Sequence, residues 1–236
     1  MKAIALPQSR AHIYRPFRSP KKDPEEALTQ DVSQPPAGQQ DPAAAAPDAT
    51  RGIRWFLRDA TAARHEVVDG LGSAHRLDTP EAYAAFLRAH ARALPGVEQA
   101  LEAGGIATSL PDWPARARRA ALAADLDALN TPAPAAAPAA LPQGEAALLG
   151  AAYVLEGSRF GNGMLSKQVA EGLPRAYLSH RASWPAFLAV LEARLADRAL
   201  WPAAAAGALA AFDAFQAALA AEPPTLAASR DATVHG

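Results

Sequence analysis

The chain has 236 residues, half of them hydrophobic, and a formal net charge of −1 at pH 7. This length and apolar content allow one sizeable domain, and the balanced charge gives no indication of nucleic-acid or anionic-membrane binding. The sequence contains no cysteine, which excludes thiolate catalysis, disulfides, iron–sulfur clusters and any thiolate-ligated metal.

Residues 1–50 are rich in Pro, Gln, Lys, Asp and Ala and show no sustained apolar period. We predict a disordered N-terminal extension, because such a segment cannot bury enough surface to offset its ordering entropy. A misassigned translation start would give the same pattern. The apolar run before Pro7 is too short for a secretory segment, and the alanine-rich stretch 203–212 is too short to span a bilayer. We therefore expect a soluble, cytoplasmic protein.

The sequence predicts a helical domain over residues 51–222 and a flexible tail over 223–236. Between Gly52 and Gly72, apolar residues recur at intervals of three and four, which is typical of an amphipathic helix. A second helix should begin after Thr79, a good capping residue, and Pro95 should kink or end it.

Four more helices are predicted farther along the chain, and no segment shows the alternation of a strand. The class is therefore all-α, a multi-helix bundle. Residues 131–144 contain four prolines and predict a connecting loop. The predicted helices run from about Pro114 to Leu129, from near Gly144, from Trp184 to about Leu195, and from about Leu200 to Ala221.

His65 lies in the middle of the first predicted helix. A period of 3.6 residues places it on one face with Leu57, Thr61 and Val68, a face that we expect to turn inward. A neutral imidazole on such a helix is a common axial ligand of haem iron, and Asp69, one turn later, can accept the other ring N–H. The alternative is a buried histidine that is only hydrogen-bonded.

Residues 153–163 contain three glycines inside a helical pattern. Each should cost about 1 kcal/mol relative to alanine. Such a cost indicates either a bend or a place where the backbone approaches something bulky and flat. The alternative is a helix end, with Gly161 or Gly163 as the cap and a new helix from Met164.

Taken together, these two segments resemble the heme oxygenase family, in particular the bacterial members associated with bacteriophytochromes. Residues 57–65, LRDATAARH, resemble the family's LR-x-AT-xxx-H segment, which carries the proximal haem ligand. Residues 150–161, GAAYVLEGSRFG, are similar to the family's distal-helix signature. The resemblance extends over residues 54–221 and includes 79–90, 112–116 and 207–215. It implies a bundle in which haem lies between a proximal helix and a kinked distal helix.

The resemblance also implies roles for individual residues of the proximal helix. His65 corresponds to the iron ligand, and Asp69 to its hydrogen-bond partner, where many relatives have the longer glutamate. Arg58 matches the basic residue that pairs with a haem propionate; without the resemblance it would be an ordinary solvated arginine. Thr61 belongs to the same haem-contacting segment.

On the distal side, Gly157 and Gly161 match the glycines that let the helix bend over the iron. Ser158 stands where some relatives have an aspartate that organises distal water; a hydroxyl can order water but supplies no carboxylate. Asn162 departs from the usual second glycine, which puts the curvature of this helix in question. The remaining residues expected to contact haem are Tyr153, Phe212 and Phe215.

For activity, the resemblance implies oxidative cleavage of haem, which is both cofactor and substrate, to biliverdin, CO and Fe(II). The reaction uses O2 and electrons from a separate reductase or ferredoxin, since the chain has no flavin or nicotinamide motif. A bacteriophytochrome is a possible receiver of the biliverdin. No nucleic-acid or membrane partner is expected.

Two other functions are compatible with parts of this pattern. A haem carrier or sensor would use the same ligand without consuming haem. A non-haem diiron oxygenase could draw ligands from Glu66, His90, Glu98 and Glu156, but the paired Glu-x-x-His spacing of such sites is missing. His90 is the one competing haem ligand on an apolar stripe, and a hydrogen-bonded core histidine is its simpler interpretation. The other histidines, His12, His75, His180 and His235, are expected to be solvated.

Overall fold

The computed structural model describes residues 51–225, so the predicted extension over residues 1–50 and residues 226–236 of the predicted tail lie outside the described part. All regular structure within the described range is helical, which confirms the all-α class. The α-helices are α1 (Ile53–Ser73), α2 (Pro80–Ala103), α3 (Trp113–Arg116), α4 (Arg119–Ala128), α5 (Glu145–Leu165), α6 (Ala176–Ser179), α7 (Trp184–Arg194) and α8 (Trp201–Ala221), with short 3-10 helices at Ile106–Thr108 and Arg198–Leu200.

Helix α8 is the centre of the bundle, because α1, α2 and α5 all pack against it. The segment Arg198–Ala221, with a mean hydropathy of 1.4, is long and apolar enough to cross a membrane by length and composition. The sequence analysis found no segment of that kind. Half of this segment's most apolar window is buried inside the bundle, so contact with three neighbouring helices accounts for its composition.

Helices α5 and α8 cross at unusually short range through two glycines. A Cβ atom placed on Gly150 would overlap the carbonyl oxygen of Ala204, and one placed on Gly207 would overlap the carbonyl oxygen of Ala147. Only residues without a side chain permit this backbone approach. Small residues at this crossing therefore let the two helices pack at short distance, where large side chains would have kept them farther apart.

Of the two outcomes predicted for Pro95, a kink or an end of the second helix, the end is wrong, because α2 continues to Ala103. Proline removes one N–H from the helix ladder and disturbs the preceding turn. Here the loop after α4 lies against that turn, and the backbone N–H of Ala137 donates to the carbonyl of Arg92 over 2.8 Å. The loop also approaches Gly96 so closely that a Cβ there would overlap the carbonyl of Ala137.

The third predicted helix is in fact two helices, α3 and α4, separated by an extended residue at Ala117. The carboxylate of Glu98 on α2 accepts hydrogen bonds from the backbone N–H groups of Arg118 and Arg119, at 2.7 and 3.1 Å. A side chain twenty residues away thus caps the N-terminus of α4, and no local sequence signal could indicate it.

The alternative that the fourth long helix ends at Gly161 or Gly163 is also wrong. Helix α5 runs unbroken from Glu145 to Leu165, through Gly157, Gly161 and Gly163. Its close packing against α8 outweighs the loss of helix propensity, since most helical stability in proteins comes from tertiary contacts.

Candidate active site

The candidate site lies where α1 and α5 leave space between them. Both helices pack extensively on α8, yet they scarcely contact each other, and α7 contacts both. From these contacts we infer a cleft with α1 on one side, α5 on the other and α8 beneath. His65 belongs to the first side, and the three-glycine segment to the second.

His65 is held by its neighbour one turn along α1. Its Nδ1 atom lies 2.9 Å from Oδ2 of Asp69, and its ring meets Phe212 of α8 edge-on at a centroid distance of 5.7 Å. Because a carboxylate only accepts hydrogen bonds, Nδ1 carries the proton in the neutral ring and Nε2 keeps its lone pair. The structure thus presents one ring nitrogen that is able to bind a metal.

The prediction that His65 turns into the core with Leu57 and Thr61 is wrong in part. Leu57 and Thr61 are buried, whereas the His65 side chain is 50% exposed. The Thr61 hydroxyl donates to the carbonyl of Leu57 over 2.7 Å. The structure therefore leaves the imidazole accessible beside the open cleft and does not bring the Thr61 hydroxyl there.

The face of α5 around Gly157 carries few side-chain atoms close to the backbone, and it exposes apolar side chains to solvent. A Cβ on Gly157 would meet only Cη2 of Trp184, at 3.9 Å. Phe160 and Met164 follow at helical spacing, and each is 51% exposed. Gly161 is half-buried on the same helix. Phe160, Met164 and Trp184 were not among the site residues predicted from the sequence, although the first two repeat with Gly157 at three- and four-residue intervals.

Tyr153 and Arg58 stand near each other at one end of this cleft. Tyr153 of α5 is half-buried and its ring lies 5.7 Å from that of Trp184. Burial raises the pKa of the Tyr153 phenol, and the positive charges of Arg54 and Arg58 on α1 partly oppose that rise. The Arg58 guanidinium is exposed and lies 5.2 Å from the ring centroid of Trp55. Positive charge from α1 therefore faces a phenol of α5.

This arrangement accompanies clear similarity to known proteins. The chain is 36% identical over 165 residues to a heme oxygenase of Xanthomonas campestris pv. campestris (strain 8004), an alignment covering 66% of this chain and 98% of the relative. The chain belongs to the heme oxygenase family. It is accordingly an oxidoreductase enzyme. No family model matches the sequence.

The fold agrees with that membership. A crystal structure of the NO- and CO-bound heme oxygenase from Neisseria meningitidis superimposes with a TM-score of 0.62, covering 72% of this chain and 92% of that chain at 21% identity. The heme oxygenase fold that the two sequence segments predicted is therefore confirmed.

Ser158 has its hydroxyl engaged on the inner side of α5. Its Oγ donates to the carbonyl of Leu155 over 2.7 Å and accepts from Nη2 of Arg118 over 2.9 Å. Arg118 is buried, and its guanidinium lies 5.2 Å from the ring centroid of Tyr177. Arg118 was not predicted from the sequence, because no local pattern distinguishes it from the nearby Arg116 and Arg119.

A buried ionic network supports the same stretch of α5. Glu156, 1% exposed, pairs with Arg116 at 2.7 Å and with Arg159 at 2.8 Å. Nη1 of Arg159 also lies 2.8 Å from Nδ1 of His180, which must accept because a guanidinium only donates. Burial and the Arg159 charge lower the pKa of His180. His180 is thus part of a network and not the solvated residue that the sequence predicted.

The diiron alternative finds no support in this part of the chain. Glu156 is bound by two arginines, and Glu98 caps α4. Among residues 51–225, no three His, Asp or Glu side chains converge to hold a metal ion. Within residues 51–225, Glu98 and Glu156 are therefore engaged in other contacts and are not arranged as the ligands of a diiron site.

His90 is half-buried, and the centroid of its ring lies 4.1 Å from that of Phe86 and 5.8 Å from that of Phe215. Its Nδ1 donates to the carbonyl of Phe86 over 2.9 Å, and burial lowers its pKa to about 4. His90 is thus a neutral, hydrogen-bonded histidine, which agrees with the simpler of the two interpretations drawn from the sequence. His75, predicted to be solvated, is 6% exposed, and its ring centroid lies 6.1 Å from that of Phe86.

Proposed function

We propose that this protein is a cytoplasmic heme oxygenase that cleaves haem oxidatively to biliverdin, CO and Fe(II). The observation that carries the proposal is the position of His65: its Nδ1 is bonded to Asp69, and its Nε2 has no hydrogen-bond partner among residues 51–225, beside an inferred cleft whose opposite wall is the glycine-rich face of α5. When bound, haem supplies both the iron that O2 requires and the macrocycle that is oxidised.

His65 would hold the iron through Nε2, and Asp69 would fix the tautomer and the ring orientation. A carboxylate hydrogen-bonded to a ligating imidazole also raises the basicity of that ligand. Phe212 limits rotation of the ring, because it packs against the imidazole edge. Asp69 and Phe212 therefore both restrain the ring of a histidine that is half exposed.

The other wall would admit a flat macrocycle because Gly157 and Gly161 have no side chains. Phe160 and Met164 expose apolar surface that such a ligand would cover, and Trp184 borders Gly157. Burying exposed aromatic and thioether groups against a macrocycle gains about 25 cal/mol per Å² of apolar surface. The residues present therefore fit a haem.

Arg58 would bind a haem propionate at the end of the cleft where Tyr153 lies. Its guanidinium is exposed and charged, and a guanidinium–carboxylate pair is directional as well as attractive. Phe215 is buried beneath the cleft against His90, which gives it a packing role under the site. Electrons would come from a separate reductase or ferredoxin, and a bacteriophytochrome is the proposed receiver of biliverdin.

The test is the fate of added haemin. Purified protein should bind haemin, and a reductant in air should convert it to biliverdin, identified by chromatography, with release of CO. His65→Ala should lose both the axial ligand and turnover. Glu66→Ala, an exposed neighbour on the same helix, is the matched control and should retain both.

Two outcomes would contradict the proposal. A His65→Ala variant with full turnover would remove the ligand assignment. A wild-type complex whose haem persists unchanged under reductant and O2 would support the carrier or sensor instead.

A further inference from the structure

Helix α7 contacts both α1 and α5, and its first residue, Trp184, lies against the face of α5 that carries Gly157. The centroid of the Trp184 ring lies 5.7 Å from that of Tyr153 and 5.5 Å from that of Phe160. Its Cη2 atom is 3.9 Å from a Cβ placed on Gly157. The position of the first turn of α7 therefore determines how much of this face is covered.

Two arginines of the buried Glu156 network hold the segment that leads into α7. Nη1 of Arg159 lies 2.8 Å from Nδ1 of His180, and Nη1 of Arg116 donates to the carbonyl of Ser183, the N-cap of α7, over 3.4 Å. Residues 180–183 are thus attached to α5 at one end and to α3 at the other.

The bond at His180 exists only while its ring is neutral. A guanidinium has donors and no acceptor, so Nδ1 must offer a lone pair to Arg159, and the proton of the neutral ring lies on Nε2. Protonation removes that lone pair and places a second positive charge at hydrogen-bond distance from the guanidinium. Because His180 is only half-buried, we expect its ring to exchange protons with solvent in the folded protein.

The charges around His180 oppose its protonation. Burial lowers its pKa first, and the positive charges of Arg159 on α5 and Arg118 before α4 lower it further, against the attraction of Glu156. Both oxygens of Glu156 already pair with Arg116 and Arg159. The bonded state therefore binds fewer protons than a released state with the ordinary pKa of 6.5, so it loses stability as the pH falls below that value.

The rest of α7 is fixed by its contacts in the core. Phe187 and Leu191 are 0% exposed, and the Trp184 ring stacks on that of Phe187 at a centroid distance of 5.6 Å. Release of residues 180–183 would therefore loosen the first turn and leave the remainder of the helix in place.

We propose that the contact between His180 and Arg159 is a pH-sensitive latch, which holds Trp184 on the Gly157 face of α5 while the imidazole is neutral and releases it on protonation. His180 is thus a positioning residue that acts through Trp184. The latch is a property of the haem-free chain, whereas its effect on haem rests on the proposed function: acid uncovers this face of α5, and haem leaves faster.

The first measurement uses the haem-free full-length chain. Acrylamide quenching of the fluorescence that is lost in Trp184→Phe reports the exposure of Trp184. The quenching constant should rise severalfold between about pH 7.5 and about pH 5, on either side of the ordinary histidine pKa. The helical circular dichroism should stay constant over the same range, because only the first turn of α7 is released.

Variants at position 180 separate the latch from other effects of acid. His180→Gln keeps an oxygen that can accept from Arg159 and cannot be protonated, so Trp184 should stay shielded at both pH values. His180→Arg carries a permanent charge and should expose Trp184 already at about pH 7.5. His75→Gln is the matched control: it removes another histidine whose pKa burial lowers, and it should retain the wild-type response.

Haem release tests the consequence for the site. Transfer of haem from the ferric complex to an excess of a haem-scavenging apoprotein should accelerate in acid more in the wild type than in His180→Gln. The difference should reach at most about tenfold per pH unit below the ordinary pKa. Comparing the two proteins removes the effect of acid on His65, which they share.

The inference and the proposed function fail in different ways. Quenching of Trp184 that is independent of pH, or that changes as much in His180→Gln as in the wild type, overturns the latch. Equal acceleration of haem release in both proteins overturns its link to the haem site. A chain that binds no haem overturns the proposed function alone, since the quenching measurements need no haem. If His180→Arg does not fold, His180→Gln decides by itself.

Discussion

Gly150 on α5 and Gly207 on α8 face each other's helix at one crossing, each directly against the backbone carbonyl of an alanine. The contact is reciprocal, so the close approach of the two helices requires a glycine on each of them. Because α1 and α2 also pack on α8, this crossing sets the position of α5 relative to the rest of the bundle.

Gly207→Ala should therefore destabilise the protein. The added methyl group forces the two backbones apart, and overpacking of this kind costs about 1–3 kcal/mol. At about 2–4 °C per kcal/mol for a protein of this size, the loss is measurable as a lower Tm. Gly70→Ala is the control: it lies inside α1 with nothing within 4 Å of the added carbon, and should stabilise by about 0.5–1 kcal/mol. An unchanged Tm in Gly207→Ala would contradict the close crossing.

Asp69→Asn should weaken haem binding without unfolding the protein. The amide can still accept from Nδ1 of His65, but it no longer raises the basicity of the ring, and loss of such a partner lowers metal affinity about 10–100-fold. A haemin titration followed at the Soret band measures the effect. Asp59→Asn, at an exposed carboxylate on the same helix, should bind as the wild type does; equal affinities in both variants would refute the role of Asp69.

Gly157→Leu should close the cleft while the fold persists. A Cβ at Gly157 meets only the Trp184 ring at 3.9 Å, so the first carbon fits and the rest of the side chain extends into the space that haem would fill. Haem affinity should be lost while the Tm is retained. Gly157→Ala should keep most of the affinity. Undiminished haem binding in Gly157→Leu would show that this face of α5 does not contact haem.

Stability of the haem-free protein should fall with acidity between about pH 6.5 and pH 4. In that range the imidazole of His90 becomes protonated in the unfolded chain, where its pKa has the ordinary value of 6.5. In the folded protein, burial lowers that pKa to about 4, so the ring stays neutral. The unfolded state therefore binds more protons, and stability rises with pH. The lowered pKa values of His75 and His180 act in the same direction.

Urea unfolding at several pH values measures this slope. His90→Gln should have a shallower slope than the wild type, because one of the protons taken up only on unfolding is removed. A slope that is unchanged in His90→Gln would show that this imidazole is accessible to protons in the folded state.

The sequence by itself determined the features that depend on residues within one helical turn. Thr79 caps α2 as predicted, accepting from the N–H of Ala82 over 3.3 Å, and His65 meets Asp69 as the four-residue spacing requires. The helical class and the order of the long helices also follow from local periodicity. The two segments that resemble the heme oxygenase family supplied the family itself.

Only the tertiary structure decided the rest, because it depends on residues that are far apart in the chain. Packing against α8 keeps α5 continuous through its glycines, and Ala137 supports α2 at the turn before Pro95. The burial of His75 and the contact between Arg118 and Ser158 likewise arise from helices brought together by folding. Helix geometry fixes neighbours three or four residues apart, whereas the packing of whole helices chooses the distant ones.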